Sequence, residues 1–188
     1  MELTDDELAA AFRAGDAEAL GLLMERHKAA VYGYLLRLTA RQDAAEDIFQ
    51  EVFLKLVRNP AAYGQREKFR SWLFTVARNA AMDYFRRQGA RGEVPLDGQG
   101  DLPGPVDHAA SPEPGPEAAA GNKELGEKIE AALGRLSREQ REVFYLRHYS
   151  GLSFKDIAEM SGLPIGTVLA RMSRAAAQLR KELEKDVQ

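Results

Sequence analysis

The segment 89–121 decides how this 188-residue chain can be organised, because it cannot join a packed core. It carries 7 Gly and 6 Pro in 33 residues. Gly loses the most backbone freedom on ordering, and Pro cannot donate to a helix or sheet. With few apolar groups to offset that cost, the segment is expected to be a disordered tether. Two smaller folding units, 1–88 and 122–188, must therefore stand on either side. The tether also distorts the charge. It holds six acids (Glu93, Asp97, Asp101, Asp107, Glu113, Glu117) and one base, Arg91. Residues 1–88 are balanced at 13 bases and 13 acids, and residues 122–188 carry 12 and 10. The formal net charge of -3 thus comes from the tether, and the flanks together are slightly basic.

Both flanks read as helical. Thr4 and Glu7 form a capping box before Leu8, Ala11 and Phe12, and Gly15 ends that helix. Asp16 caps a second helix whose Leu20, Leu23, Met24, His27, Val31, Tyr34, Leu35 and Leu38 recur at helical spacing. Asp43 and Glu46 suggest another capping box, with Ala45, Ile48, Phe49, Val52, Phe53 and Leu56 as the buried stripe up to Asn59-Pro60. A fourth helix is expected over about 68–87, with Phe69, Trp72, Leu73, Val76, Ala77, Ala80 and Tyr84 inward. Beyond the tether come a helix over about 123–133, a Ser137–Gln140 capping box, and a helix capped by Ser153. The turn Ser161-Gly162-Leu163 leads to a long helix over about 164–183. No period-2 strand pattern appears, so the fold class is all-α: an N-terminal helical bundle and a C-terminal helix–turn–helix.

Composition excludes several functions. Zero Cys removes disulfides, thiolate metal sites and thiol catalysis. No apolar run is long enough for a membrane helix, the first residues do not resemble a signal peptide, and a cytoplasmic location is expected. His27, His108 and His148 are the only histidines, each isolated in sequence. No metal-ligand spacing, phosphate loop or nucleophile elbow is present, so neither enzyme, cofactor nor metal is expected.

Three features bear on binding. A short helix, a Gly-containing turn and a second helix form the motif that lays its second helix in the DNA major groove. Val168, Met172, Ala175, Leu179 and Leu183 would pack inward, leaving Thr167, Arg171, Ser173 and Arg174 outward. An ordinary helical bundle fits the same periodicity. The stretch 66–91 carries seven bases and two acids, interleaved with Phe69, Trp72, Phe74, Tyr84 and Phe85. Cations along a backbone with aromatic faces for unstacked bases suit single-stranded nucleic acid, while Phe69, Trp72 and Tyr84 lie at core spacing, which reads most of these rings as packing. Finally, Asp47, Gln50 and Glu51 share one side of the third helix, with Lys55 one turn beyond Glu51. That side is either a solvated face or a dock for a basic helical partner.

Taken in order, these blocks resemble a known family. Asp47-Ile48-Phe49-Gln50-Glu51-Val52-Phe53 comes first. Phe69-Arg70-Ser71-Trp72-Leu73-Phe74-Thr75-Val76-Ala77-Arg78-Asn79, with Asp83, follows. Across the tether come Ile157-Ala158-Glu159, Gly162-Leu163-Pro164-Ile165-Gly166-Thr167-Val168 and Arg171. Their order and spacing resemble the extracytoplasmic-function group of sigma-70 factors, the promoter-recognition subunits of bacterial RNA polymerase.

The resemblance implies a transcription initiation factor that binds core polymerase and directs it to promoters. It implies that Asp47, Gln50 and Glu51 meet the β′ clamp helices, with the β flap as a further polymerase contact. It assigns recognition and melting of the −10 element to Arg66, Lys68, Arg70, Trp72, Arg78, Asn79, Asp83, Arg86 and Arg87. The loop 59–68 corresponds to one that receives a flipped-out base. Thr167, Arg171, Ser173 and Arg174 correspond to readers of the −35 element. An anti-sigma factor is a further expected partner; no small-molecule substrate and no membrane insertion are expected. Leu169, Ala170, Ala176, Ala177 and Gln178 stand where relatives are commonly polar or basic, which implies weaker, less salt-sensitive duplex binding. The competing reading is an autonomous helix–turn–helix regulator, because Leu136 to Val143 also resembles the opening of response-regulator output domains.

Overall fold

The structure is a computed structural model that describes residues 3–59, 63, 68–90, 126 and 128–185. Of the expected tether, Gly89 and Ala90 are described and are helical; its remainder, most of the loop 59–68 including Arg66, and the N-terminal part of the 123–133 helix lie outside these residues. The chain divides into two compact units, Met1–Val94 and Pro95–Gln188. Every regular element among the described residues is helical.

The first unit contains α1 (Asp5–Arg13), α2 (Ala17–Thr39), α3 (Gln42–Arg58) and α4 (Phe69–Ala90). The expected Thr4–Glu7 capping box is present: the Glu7 amide donates to Thr4 Oγ1, and the Thr4 amide donates to Glu7 Oε2 at 2.7 Å. Asp16 caps α2 through the amides of Glu18 and Ala19. The second helix ends at Ala40, a non-glycine residue at φ 53°, whose amide donates to the Leu36 carbonyl. The expected Asp43–Glu46 box does not form. The third helix starts earlier, behind Arg41, and Arg41 instead engages the Asp43 carboxylate with Nε at 3.1 Å and Nη2 at 2.5 Å.

Side chains from all four helices make one core. Leu8, Leu23, Val31, Tyr34, Leu35, Ile48, Val52, Leu56, Leu73, Phe74 and Ala77 are almost wholly buried. The fourth helix packs on α1, α2 and α3, which widens its buried side. As a result Phe74 and Ala81 are buried, whereas Trp72, Val76 and Tyr84, expected inward, are only half-buried. Phe74 sits edge-on to Tyr34 with ring centroids 5.7 Å apart.

In the second unit, helical residues 128–134 precede α5 (Arg138–His148), α6 (Phe154–Ser161) and α7 (Ile165–Lys185). The Ser137–Gln140 and Ser153–Asp156 capping boxes are both formed. Gly162 closes α6 at φ 66°, a left-handed value that glycine reaches without Cβ strain. Pro164 lies just before α7 and its carbonyl accepts the Thr167 amide at 2.9 Å, so it stands at the cap position instead of inside the helix. Arg147 fixes the approach to α6: Nη1 donates to the Leu152 carbonyl, and the guanidinium lies 5.1 Å over the Phe154 ring. Leu133, Val143, Leu146, Ile157, Val168, Ala175 and Leu179 form the core of this unit.

Candidate functional site

The outer side of α3 mixes acidic, basic and apolar side chains. Asp47 and Gln50 are exposed, and Glu51 is half-buried beside them. Leu54 and Val57 extend the same side while 48% and 52% exposed. Asp47, Gln50, Glu51, Leu54, Lys55 and Arg58 line an open surface depression. Large apolar side chains next to acids gain nothing from water, and such a mixed patch suits a protein contact. The Glu51 carboxylate meets Lys55 Nζ at 2.8 Å, as the spacing suggests, and also approaches Arg87 Nη2 of α4 at 3.8 Å. The second contact joins the acidic face to the basic helix. Sequence spacing could not show it, since the partners lie on different helices.

The basic helix α4 separates the residues assigned to it. Trp72, Asn79, Asp83 and Arg86 fall on one side at helical spacing, whereas Arg78 lies roughly a quarter-turn or more round from it and Arg70 close to the opposite side. Lys68 is exposed just before the helix. Asp83 pairs with Arg86 at 3.0 Å, and Arg87 Nε donates to the Asp83 carbonyl at 3.3 Å. Of the interleaved rings, Phe69 and Phe74 are core, while Trp72, Tyr84 and Phe85 keep partly open faces. The open rings are the ones available for base stacking.

Trp72 belongs to an aromatic cluster that sequence reading missed. Its ring lies 5.5 Å from Tyr63 and 5.9 Å from Phe69. A cleft lined by Ala9, Phe12, Leu56, Asn59, Tyr63, Phe69 and Trp72 has room for only about 10 Å³, roughly one water and far less than a nucleobase. Tyr63 is buried and its hydroxyl donates to Asp6 Oδ1 at 2.6 Å while accepting the Lys68 amide at 3.0 Å. Burial, reinforced by the bond to Asp6, pushes the Tyr63 phenol up to about 12. Asp6 Oδ1 also accepts the Phe69 amide at 2.8 Å, and Arg13 Nη1 reaches the Tyr63 carbonyl. These partners are 57 and 63 residues apart, so no local pattern announces them.

His27, placed by its spacing on an apolar face, is buried against Phe69, and Nε2 lies 2.7 Å from Asp5 Oδ2. Burial holds its pKa below the usual imidazole value; Asp5 opposes that shift, and Arg70 and Arg26 add to it. The short contact alone would suggest an ion pair, but desolvation dominates. Burial thus favours the uncharged form of the ring beside Asp5.

On α7, Ser173 and Arg174 are exposed as expected. Thr167 and Arg171 are half-buried. The Glu139 carboxyl of α5 is held below its usual value by hydrogen bonds at the helix start, with the Arg171 charge adding to the effect. Arg171 is thus divided between its own unit and any ligand. Ile165 and Leu169 are 51% and 45% exposed on the outer side of the same helix. Among the described residues, no group of three or more His, Cys, Asp or Glu could hold a metal ion, and no helix is long and apolar enough to cross a membrane.

An acidic-apolar face beside a basic aromatic helix, and a separate helix–turn–helix unit, are features that suit a protein binding both DNA and a protein partner. Residues 23–91 match the family model for sigma-70 region 2, and residues 126–179 match that for sigma-70 region 4. The chain is 35% identical over 176 residues to the ECF RNA polymerase sigma factor SigL of Mycobacterium tuberculosis, covering 92% of this chain and 93% of the relative. It is 34% identical over 163 residues to the ECF sigma factor SigE of Mycolicibacterium smegmatis, where it covers 87% of this chain but only 61% of the longer relative. The solved structure of CnrH with the cytosolic domain of CnrY superposes with a TM-score of 0.67 at 26% identity, covering 97% of this chain and 98% of that one. The chain belongs to the extracytoplasmic-function group of the sigma-70 family. Its activity is promoter-specific transcription initiation with RNA polymerase, and the match of its N-terminal unit to region 2 disfavours the autonomous-regulator reading.

Proposed function

We propose that the outer side of α3 docks on the core polymerase β′ clamp helices, that α4 captures and opens the −10 element, and that α7 reads the −35 element. The observation that supports this most is the contact between Glu51 and Arg87, which sets the docking face against the strand-opening helix. On this reading the division of labour follows 1–88 and 122–188, with 89–121 as the tether between them. Asp47, Gln50 and Glu51 supply acidic and polar contacts, and Leu54 and Val57 supply the apolar centre that a stable interface requires.

Trp72, Asn79, Arg86 and Arg87 follow the unstacked strand, with Lys68, Arg70 and Arg78 at its phosphates and Arg66 in the adjoining loop. Arg174 and Ser173 face the −35 duplex, with Arg171 and Thr167 closer to their own unit. The chain supplies no catalytic group: nucleotide addition belongs to the polymerase, and the site of action is the cytoplasm. The sigma factor RpoE of Bartonella quintana, 25% identical to this chain with a TM-score of 0.66, was solved with the anti-sigma factor NepR, and an anti-sigma factor is accordingly a partner of this chain as well.

The test is the double reversal Asp47→Arg with Glu51→Arg. Placing two cations where two anions met a basic surface should reduce core-polymerase binding more than about 100-fold, since like charges across an interface cost several kcal/mol. Survival of core binding in that variant would remove α3 as the dock. Start-site-specific RNA from a bacterial promoter library, made by wild-type protein with core polymerase, tests the whole assignment.

A further inference from the structure

The match to sigma-70 region 2 begins at residue 23, which leaves α1 outside it. Yet α1 holds the start of the strand-opening helix. Every helix leaves its first amides without internal partners, and an acid there also meets the positive end of the helix dipole. Lys68, which precedes α4, has no side-chain acceptor to serve as a cap. The acceptor comes from α1: Asp6 Oδ1 takes the Phe69 amide at 2.8 Å and the Tyr63 hydroxyl at 2.6 Å. One oxygen thus joins the first residue of α4 to the loop before it. Its neighbour Asp5 reaches the other way, to His27 and to Arg26 of α2 at 3.2 Å. Two adjacent acids make α1 a strut between α2 and α4.

We propose that Asp6 is a positioning residue for promoter strand opening: it seats Tyr63 and the first turn of α4 so that Trp72 meets the unstacked strand. The inference rests on the reading of α4 as the −10 element's reader. Trp72 lies three residues into the helix whose first amide Asp6 holds, and it packs on both Tyr63 and Phe69. Loss of the shared acceptor lets that turn and the tyrosine move together, while the acidic face of α3 keeps its own core contacts. The defect belongs to opening of the duplex, not to polymerase docking.

The experiment uses full-length protein with core polymerase on one promoter that the wild type transcribes, supplied as a duplex and as the same sequence pre-opened over the −10 region. Losing a cap-strength interaction should reduce the seated fraction, and transcription of the duplex by Asp6→Ala, about 5- to 30-fold. Core-polymerase affinity should be unchanged, and the pre-opened template should restore activity to within about twofold, since the opening step is bypassed. Asp6→Asn keeps an oxygen acceptor and should retain most of the duplex activity. Tyr63→Phe removes one of the two bonds to Asp6 together with the acceptor for the Lys68 amide, and should show the same template dependence at smaller size; it carries the test if Asp6→Ala does not fold. Wild-type activity of Asp6→Ala on the duplex overturns the proposal. So does equal loss on both templates alongside weakened core binding, because that pattern marks a purely structural role. Failure of the wild type to give promoter-specific RNA would instead remove the reading on which the proposal stands.

Discussion

The helices α4 and α7 are both assigned to promoter DNA, yet they present opposite surfaces. The cations at the end of α4 are engaged within the protein: Arg86 with Asp83, and Arg87 with Glu51 and the Asp83 carbonyl. Its aromatic rings run from the core at Phe74 to the half-open Trp72. On α7 the outer side is more apolar, with Ile165 and Leu169 exposed and Arg174, Arg180 and Lys181 among the exposed cations farther along. A helix that must hold a distorted strand needs a rigid base and rings. One that reads an intact duplex needs a narrow surface that enters the groove. Anchoring and adaptability are distributed accordingly.

Core substitutions test the difference in anchoring and should have the largest effects. Phe74→Ala should cost about 3–5 kcal/mol, because a fully buried ring packed on Tyr34 leaves a cavity that four helices cannot close. Leu179→Ala on α7 should cost nearer 2–3 kcal/mol, since that residue keeps slight exposure and its site can relax. Denaturant unfolding followed by circular dichroism measures both. Equal losses would mean that α7 is as firmly anchored as α4.

Acid should affect the α4 unit through His27. Its folded pKa lies below the unfolded value of 6.5, so the unfolded chain binds more protons in mildly acid solution. The stability contributed by the neutral, buried ring is therefore complete above about pH 6.5 and is lost as pH falls through the folded pKa. Asp5 opposes the loss, while Arg26 and Arg70 add to it. His27→Gln should flatten the acid limb of a stability–pH curve. An unchanged limb would place the acid sensitivity elsewhere, with His148, exposed beside Arg147, the next site to examine.

Much of this was legible in the sequence because it is local. Capping boxes at Thr4, Ser137 and Ser153 lie within one turn, and the buried stripes of α2 and α3 repeat at helical spacing. The Asp43 box failed where a local competitor existed: Arg41 captures the carboxylate that would have capped the helix. Phe74 was absent from the inward stripe, which held Trp72, Val76 and Tyr84 instead, because a single stripe cannot represent a helix packed on three neighbours. Of the assigned site residues, the exposure of Asp47, Gln50, Asn79 and Arg174 followed from periodicity. Asp6 with Tyr63, and Glu51 with Arg87, required the tertiary structure, because nothing in a linear pattern links side chains on separate helices.

Salt dependence probes the other half of the comparison, with effects on binding smaller than those of core loss. If Arg174 neutralises a phosphate as well as facing the −35 bases, Arg174→Ala should lower the salt slope of promoter binding by about 0.9, and Leu169→Arg should raise it by a similar amount. The measurement is holoenzyme affinity for a duplex promoter across a salt series. A slope unaffected by Arg174→Ala would remove this side chain from the phosphate contacts and leave the outer face of α7 to apolar readout.

The smallest expected change in stability separates two roles for Asp83. Its ion pair with Arg86 is exposed at both ends and spans one helical turn, so Asp83→Asn should alter stability by less than about 0.5 kcal/mol. DNA binding is the more sensitive measure. If Asp83 only restrains Arg86, the substitution removes a negative charge from the face that meets the strand and frees a guanidinium. Affinity for a single-stranded −10 oligonucleotide should then rise severalfold at low salt, and the gain should shrink as salt screens both charges. If Asp83 itself accepts a hydrogen bond from a base, affinity should fall, and the fall should depend on the identity of one nucleotide. The sign of the change thus decides whether the paired charges of α4 are a restraint on DNA binding or part of its specificity.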